Sequence, residues 1–131
     1  MQYSQTYEAT ITFIDQDTKP YLSVDVYGEA NYDNARDLWL RIARTCRETE
    51  CYKILGENHL DNAVSTLDAY RHKDIFIESG ISGKAHVAWV DSNPVTIQAT
   101  EFIGQVLSNR ALVNGKIFRD KLEAKTWLLK R

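Results

Sequence analysis

Ala85-His86-Val87-Ala88-Trp89-Val90 is a nearly continuous apolar run, and Asp91-Ser92-Asn93-Pro94 follows it directly. Apolar on both alternations, the run predicts a strand buried on both faces, as in the middle of a parallel sheet. Asn93 ahead of Pro94 predicts a helix start, with Asn93 as cap and Pro94 in the first turn, where its missing N–H costs nothing. Val95, Ala99, Phe102, Ile103, Val106 and Leu107 then recur at helical spacing as a buried stripe. A strand feeding a helix through a polar junction is the repeating unit of α/β proteins.

The same unit recurs on both sides. Downstream, Asn114-Gly115 reads as a turn and Lys116-Ile117-Phe118-Arg119 as a last short strand. Asp120 then caps a terminal helix, Glu123 completes a capping box, and Ala124, Trp127 and Leu128 form its inner face. Upstream, Asp61 is positioned to cap a helix carrying Ala63, Val64, Leu67, Tyr70 and Ile75, a pattern that weakens before Gly80 and Gly83. Ahead of it Tyr52-Lys53-Ile54-Leu55 reads as a short strand ended by Gly56. Ala35, Leu38, Trp39, Ile42, Ala43 and Cys46 define the clearest amphipathic helix of the chain, with Asn31 and Asp33 as candidate caps.

The chain opens differently. Tyr7, Ala9, Ile11 and Phe13 alternate with Glu8, Thr10 and Thr12, and Leu22, Val24 and Val26 share one face of a second strand ended by Gly28. The turn-rich link from Asp15 to Pro20 makes these two an antiparallel hairpin. The predicted order is therefore β-β-α-β-α-β-α-β-α: one α/β domain over 1–131, with a mixed sheet of four or five strands and four helices joined by right-handed crossovers.

Composition narrows the function classes. With 131 residues, 44% hydrophobic and 26% charged, the chain suits a single globular domain. A net charge of −2 argues against a basic nucleic-acid binder, and no apolar stretch approaches the roughly 20 residues of an integral membrane segment. Met1–Gln5 is polar, which predicts no secretory leader, and two cysteines are too few for a disulfide scaffold, so a reduced, cytoplasmic protein is expected. Charge is uneven: residues 1–103 carry nine Lys/Arg against sixteen Asp/Glu, and residues 104–131 carry seven against two. These last cations form no run, and read as a solvated terminal helix more readily than as a patch for RNA or an anionic membrane.

Chemistry in an open α/β sheet gathers beyond the carboxyl ends of the strands. The polar residues there are Glu57, Asn58, His59 and Asp61 after the third strand, and Asp91, Ser92 and Asn93 after the fourth, each group leading to a helix N-terminus. They are the candidate ligand- or partner-binding residues. Glu57, His59 and Asp91 would form an acid-base set only if they converged; the simpler reading makes Asp61 and Asn93 caps and His59 a loop residue. Cys46 belongs to a helix core, Cys51 is expected to be exposed, and with His59, His72 and His86 they do not make a four-ligand zinc site. Gly80-Ile81-Ser82-Gly83-Lys84 precedes a strand, the wrong place for a phosphate loop, and no Gly-x-Ser-x-Gly elbow occurs. The sequence calls for no cofactor and no catalytic residue.

The closing segment, Ile117-Phe118-Arg119-Asp120 with Ala124 and Trp127-Leu128, together with the strand at 85–90 and the opening hairpin, resembles the SpoIIAA-like, or STAS-like, family over most of the chain. That family is related in fold to bacterial anti-sigma-factor antagonists and to lipid-binding CRAL-TRIO domains. The resemblance implies a regulatory protein-interaction module with a protein partner or a homodimer; the alternative is a small-molecule or lipid binder using the crevice beyond the third and fourth strands. In the antagonists a partner kinase phosphorylates a serine within Asp-Ser-Ser-Gly, where the third strand meets its helix. The corresponding stretch here, Glu57 to Ser65, lacks that motif, and Ser65, the nearest hydroxyl, is expected about one turn inside the helix. A lipid-binding role would require an apolar pocket under the second and third helices, which no sequence feature announces.

Overall fold

Nine elements follow in the expected order: β1 (Tyr7–Ile14), β2 (Tyr21–Gly28), α1 (Tyr32–Thr49), β3 (Lys53–Leu60), α2 (Thr66–Ser79), β4 (His86–Val90), α3 (Ile97–Asn109), β5 (Asn114–Phe118) and α4 (Lys121–Leu129). The computed structural model describes residues 7–15 and 19–131. The N-terminal residues Met1–Gln5 and the turn residues Gln16, Asp17 and Thr18 lie outside the described residues. The strands form one sheet in the order β1-β2-β3-β4-β5. β1 pairs antiparallel with β2, and the remaining neighbours are parallel.

Each parallel strand lies beside the one before it in the chain, so right-handed crossovers put α1, α2 and α3 on the same face. The main core lies beneath them, with Leu22, Val24 and Val26 of β2 in one cluster with Leu38, Ile42 and Phe76. The strand period of two sends the intervening residues to the other face. There, among the described residues, α4 is the helix that covers the sheet, packing Ala124 and Leu128 on Leu55, Ala88 and Val90. β4 is thus covered on both sides, as its apolar run predicted, and α4 starts on the Asp120 side chain, which accepts from the Glu123 N–H at 2.9 Å.

Several boundaries move. β3 does not stop at Gly56 but runs to Leu60. Gly56 sits mid-strand because the Trp89 ring of β4 lies over it: a Cβ there would fall 2.1 Å from the ring. Asn114 and Gly115 open β5 and pair with His86 and Val87, so they are strand and not turn. Asp61 does not cap α2, because the longer β3 carries it past the strand end, where its N–H donates to the Gly28 carbonyl at 2.8 Å. The cap is Ser65, whose hydroxyl accepts from the Asp68 N–H at 3.1 Å. Ser65 therefore stands at the helix start, exposed, and not one turn inside. α2 buries Ala69, His72, Ile75 and Phe76, leaving Leu67 and Ile77 more than 60% exposed. α3 likewise starts later than its Asn93-Pro94 signal, at Ile97 after Thr96. Asn93 instead organises the preceding turn, its side chain accepting from Val95 N–H, and Val95 and Phe102 are exposed, not part of the buried stripe. Cys51 is buried, as is Cys46, and neither is paired.

Candidate functional site

The polar residues beyond β3 and β4 are sorted by the strand pleat. Asn58 lies on the face of α1–α3, whereas Glu57 and His59, its chain neighbours, lie on the face of α4. Glu57, His59 and Asp91 therefore do not converge, and the acid-base set anticipated from them is not formed.

Asp91 and Asn58 do meet. Asp91 is 1% exposed, and its carboxylate is surrounded by donors. Asn58 Nδ2 reaches Oδ2 at 2.8 Å, the Thr100 hydroxyl reaches the same oxygen at 2.6 Å, and the Thr96 hydroxyl lies 2.9 Å from both oxygens. The Asn93 N–H completes the set at 3.0 Å. Such charge-assisted bonds stabilise a carboxylate that could not otherwise be buried. They also tie the end of β3, the end of β4 and the start of α3 into one unit. Thr96, left without a side-chain cap bond to α3, spends its hydroxyl here. Neither threonine was marked by the sequence, although their spacing of four places both on one helix face. Ser92 and Asp61 are exposed and stand apart from this network.

Beside it the three-helix layer stands off the sheet. A cavity of about 400 Å³ lies between α1, α2, α3 and the sheet, and its lining extends to the loops after β2 and β3. Its inner wall includes Leu38, Trp39, Phe76, Trp89, Ile103 and Leu107. Its outer part has Glu29, Asn31, Asn34 and Asn62, polar residues of the loops after β2 and β3 and of the first turn of α1. Asn62 braces the rim: its amide nitrogen donates to the Ala30 carbonyl at 3.0 Å while its oxygen accepts from the Ala30 N–H at 2.9 Å. The volume and the apolar lining with a few polar groups match small-molecule sites.

His72, on α2, also lines the cavity and is 5% exposed. Nδ1 lies 2.8 Å from the Asp68 carbonyl one turn back, an arrangement in which Nδ1 carries the proton and donates. Nε2 has no partner among the described residues. Burial pushes the pKa of this imidazole below its ordinary value, against the smaller opposing pull of the Asp68 carbonyl and charge. It is a neutral acceptor in an apolar wall. A lone histidine in an irregular helical pattern gave no sign of this.

The opposite face holds a second polar group. Asp25 and Glu57 are directly paired across β2 and β3, as are Tyr27 and His59. His59 Nε2 lies 3.1 Å from Asp25 and 3.8 Å from Glu57, and its ring stacks on Tyr27 at 4.4 Å. These three side chains are spaced to hold a cation, their ligand atoms lying within 4.8 Å of one another. As they stand His59 Nε2 is within hydrogen-bond distance of Asp25, and Lys121 Nζ of α4 approaches Glu57 at 3.4 Å.

The basic C-terminal residues are dispersed among separate partners. Arg119 approaches Glu101, and Lys116, Lys125 and Arg131 lie over the rings of Phe118, Tyr21 and Trp127. No helix of the described residues is long and apolar enough to cross a membrane.

No protein-family model and no curated protein matches the sequence. Among solved structures, the chain is similar to an uncharacterised protein of the DUF3478 family from Shewanella loihica PV-4, described as having a SpoIIAA-like fold. The TM-score is 0.64 at 17% identity, over 96% of this chain and 98% of that one. The fold is SpoIIAA-like, as the closing segment of the sequence had implied.

Proposed function

We propose that this SpoIIAA-like chain is a non-catalytic binding module that takes a small, mainly apolar molecule into the cavity between α1–α3 and the sheet. The observation that carries the reading is the cavity itself: about 400 Å³, mainly apolar inside, with polar residues of the loops after β2 and β3 among its lining, and set between the helices and strands β2 to β5. The Asp91 network ties the ends of β3 and β4 to the start of α3 at one wall. Among the anticipated residues, Asn58 belongs to the binding wall and Asp91, with Asn93, to its support. Glu57, His59, Asp61 and Ser92 fall outside it.

A direct test is thermal unfolding against a panel of medium-chain alcohols, hydrocarbons and fatty acids, with native mass spectrometry of the protein as purified. A ligand at a hundredfold excess over its Kd stabilises the folded state by about 2.7 kcal/mol, a rise in Tm of roughly 10 °C at this chain length. Ala35→Trp, which fills the cavity from α1, should abolish the shift. No retained molecule and no shift from any class would remove the proposal.

A second reading, regulatory protein interaction, is supported by a different observation. Ser65 is an exposed N-cap, and beside it Leu67, Tyr70 and Ile77 expose apolar surface along α2. A phosphate on Ser65 would meet the free N–H groups of the helix start, a favourable place for negative charge. On this reading the protein works in the cytoplasm with a protein partner, or as a homodimer, through α2. Co-purification from its host with and without Ser65→Ala tests it. A stoichiometric partner lost in the variant supports it, and isolation of the chain alone counts against it.

A further inference from the structure

We infer that the cavity takes an uncharged molecule that donates a hydrogen bond, such as an alcohol, and that His72 Nε2 is the atom that accepts it. The inference rests on the binding reading above and adds to it the chemical class of the ligand.

Three observations meet at this residue. His72 is enclosed and lines the cavity. Its Nδ1 corner is turned to the helix backbone and occupied by the Asp68 carbonyl at 2.8 Å. The far edge of the ring, which carries Nε2, is what remains for the cavity, and no described residue satisfies it. A buried polar atom without a partner costs about 1–3 kcal/mol, and such atoms are few in folded proteins. An acceptor left open in an otherwise apolar wall is completed by a donor from outside the chain.

The polarity of that donor follows from the tautomer. With the proton on Nδ1, Nε2 presents a lone pair and cannot donate. A carboxylate head would face that lone pair with its own, and could be held only if the buried ring took up a second proton, which desolvation opposes. A pure hydrocarbon would fill the volume but leave Nε2 open. An ether would bring a second acceptor. A hydroxyl or an amide N–H on an apolar body satisfies both the ring and the wall.

Octanol, its isomer heptyl methyl ether, and octanoate form a matched probe set, titrated calorimetrically against the full chain and His72→Leu. The wild-type protein should bind octanol roughly two- to tenfold tighter than the ether, the worth of one net hydrogen bond, and octanoate weakest at pH 8. In His72→Leu the preference for octanol over ether should disappear while binding of the ether persists. Nitrogen NMR of the wild-type imidazole gives a readout independent of the variant. Nε2 should resonate as an unprotonated acceptor in the free protein and shift on adding octanol but not on adding the ether. Equal binding of octanol and ether, tighter binding of octanoate, or a proton on Nε2 in the free protein would overturn the assignment and leave the cavity reading standing. Failure of all three probes to bind would overturn both.

Discussion

His72 is a base that the fold keeps uncharged, and this has a consequence for stability. Its folded pKa lies below the ordinary histidine value of about 6.5. Above that value both folded and unfolded chains hold the ring neutral, so it contributes no pH dependence. As pH falls below it, the unfolded chain takes up the proton first and the folded state loses ground until its own lower pKa is reached. The charge that acts on the ring, Asp68, pulls its pKa upward and so softens the effect without reversing it. Unfolding free energy should therefore fall on acidification from pH 7 to 5.5, with this residue contributing a slope of at most about 1.4 kcal/mol per pH unit. Denaturant melts of wild type and His72→Leu across that range would show it as a shallower slope in the variant; parallel curves would contradict it. At this scale the sequence was partly legible. Asn58 and Asp91 were visible as polar residues beyond strand ends, and they touch. The separation of Glu57 and His59 from them was not, because a glycine at position 56 signals a strand end that the Trp89 ring over it explains differently. Once β3 is known to run to Leu60, the period of two divides the three neighbours between faces.

Helix α2 shows what an element conceals when both of its sides carry apolar residues. Leu67 and Tyr70 suggested a buried face that the structure turns outward, and the true face includes a histidine and a serine. Its start was hidden for a related reason. Asp61 and Ser65 are both competent caps, and only the length of β3 decides between them. The cap itself makes a prediction. Ser65→Ala removes the acceptor for the Asp68 N–H and should cost about 1 kcal/mol, whereas Ser65→Asp keeps a strong N-cap and should leave stability within about 0.5 kcal/mol of wild type. Equal loss in both variants, measured by urea denaturation, would show that the hydroxyl contributes through something other than capping. By contrast α1 was legible throughout, since one face is apolar along its whole length and the Asn31 side chain accepts from the Asn34 N–H at its start.

Taken whole, the molecule is lopsided: three helices on one face of the sheet and a single short helix on the other. The order of elements was fully readable, because alternation, helical spacing and turn residues agree along most of the chain. The cavity was not, since its existence depends on how far a helical layer stands from a sheet, and that is set by packing between elements distant in sequence. The same asymmetry predicts how stability is distributed. β2, β3 and β4 are flanked on both edges, and β3 and β4 are also covered on both faces. Amide exchange should be slowest at Val24, Ile54, Leu55 and Ala88 and distinctly faster in β1 and β5, the outer strands of the sheet among the described residues. Mass-spectrometric or NMR exchange with the slowest amides in β1 or β5 would refute that ordering.

The strictly sequential strand order bears on how the chain is made. A ribosome releases the protein from its N-terminus, and domains begin to organise as they emerge. Here every new strand finds its sheet neighbour already synthesised, and each crossover helix arrives in time to cover the face it serves. The second face has no such provision. Leu55, Ala88 and Val90 remain uncovered until the final helix, Lys121–Leu129, leaves the exit tunnel. The nascent chain therefore carries an unshielded apolar surface from the synthesis of β3 until residues 121–129 emerge, and α4 is the patch that closes it off from chaperones and from other unfinished chains.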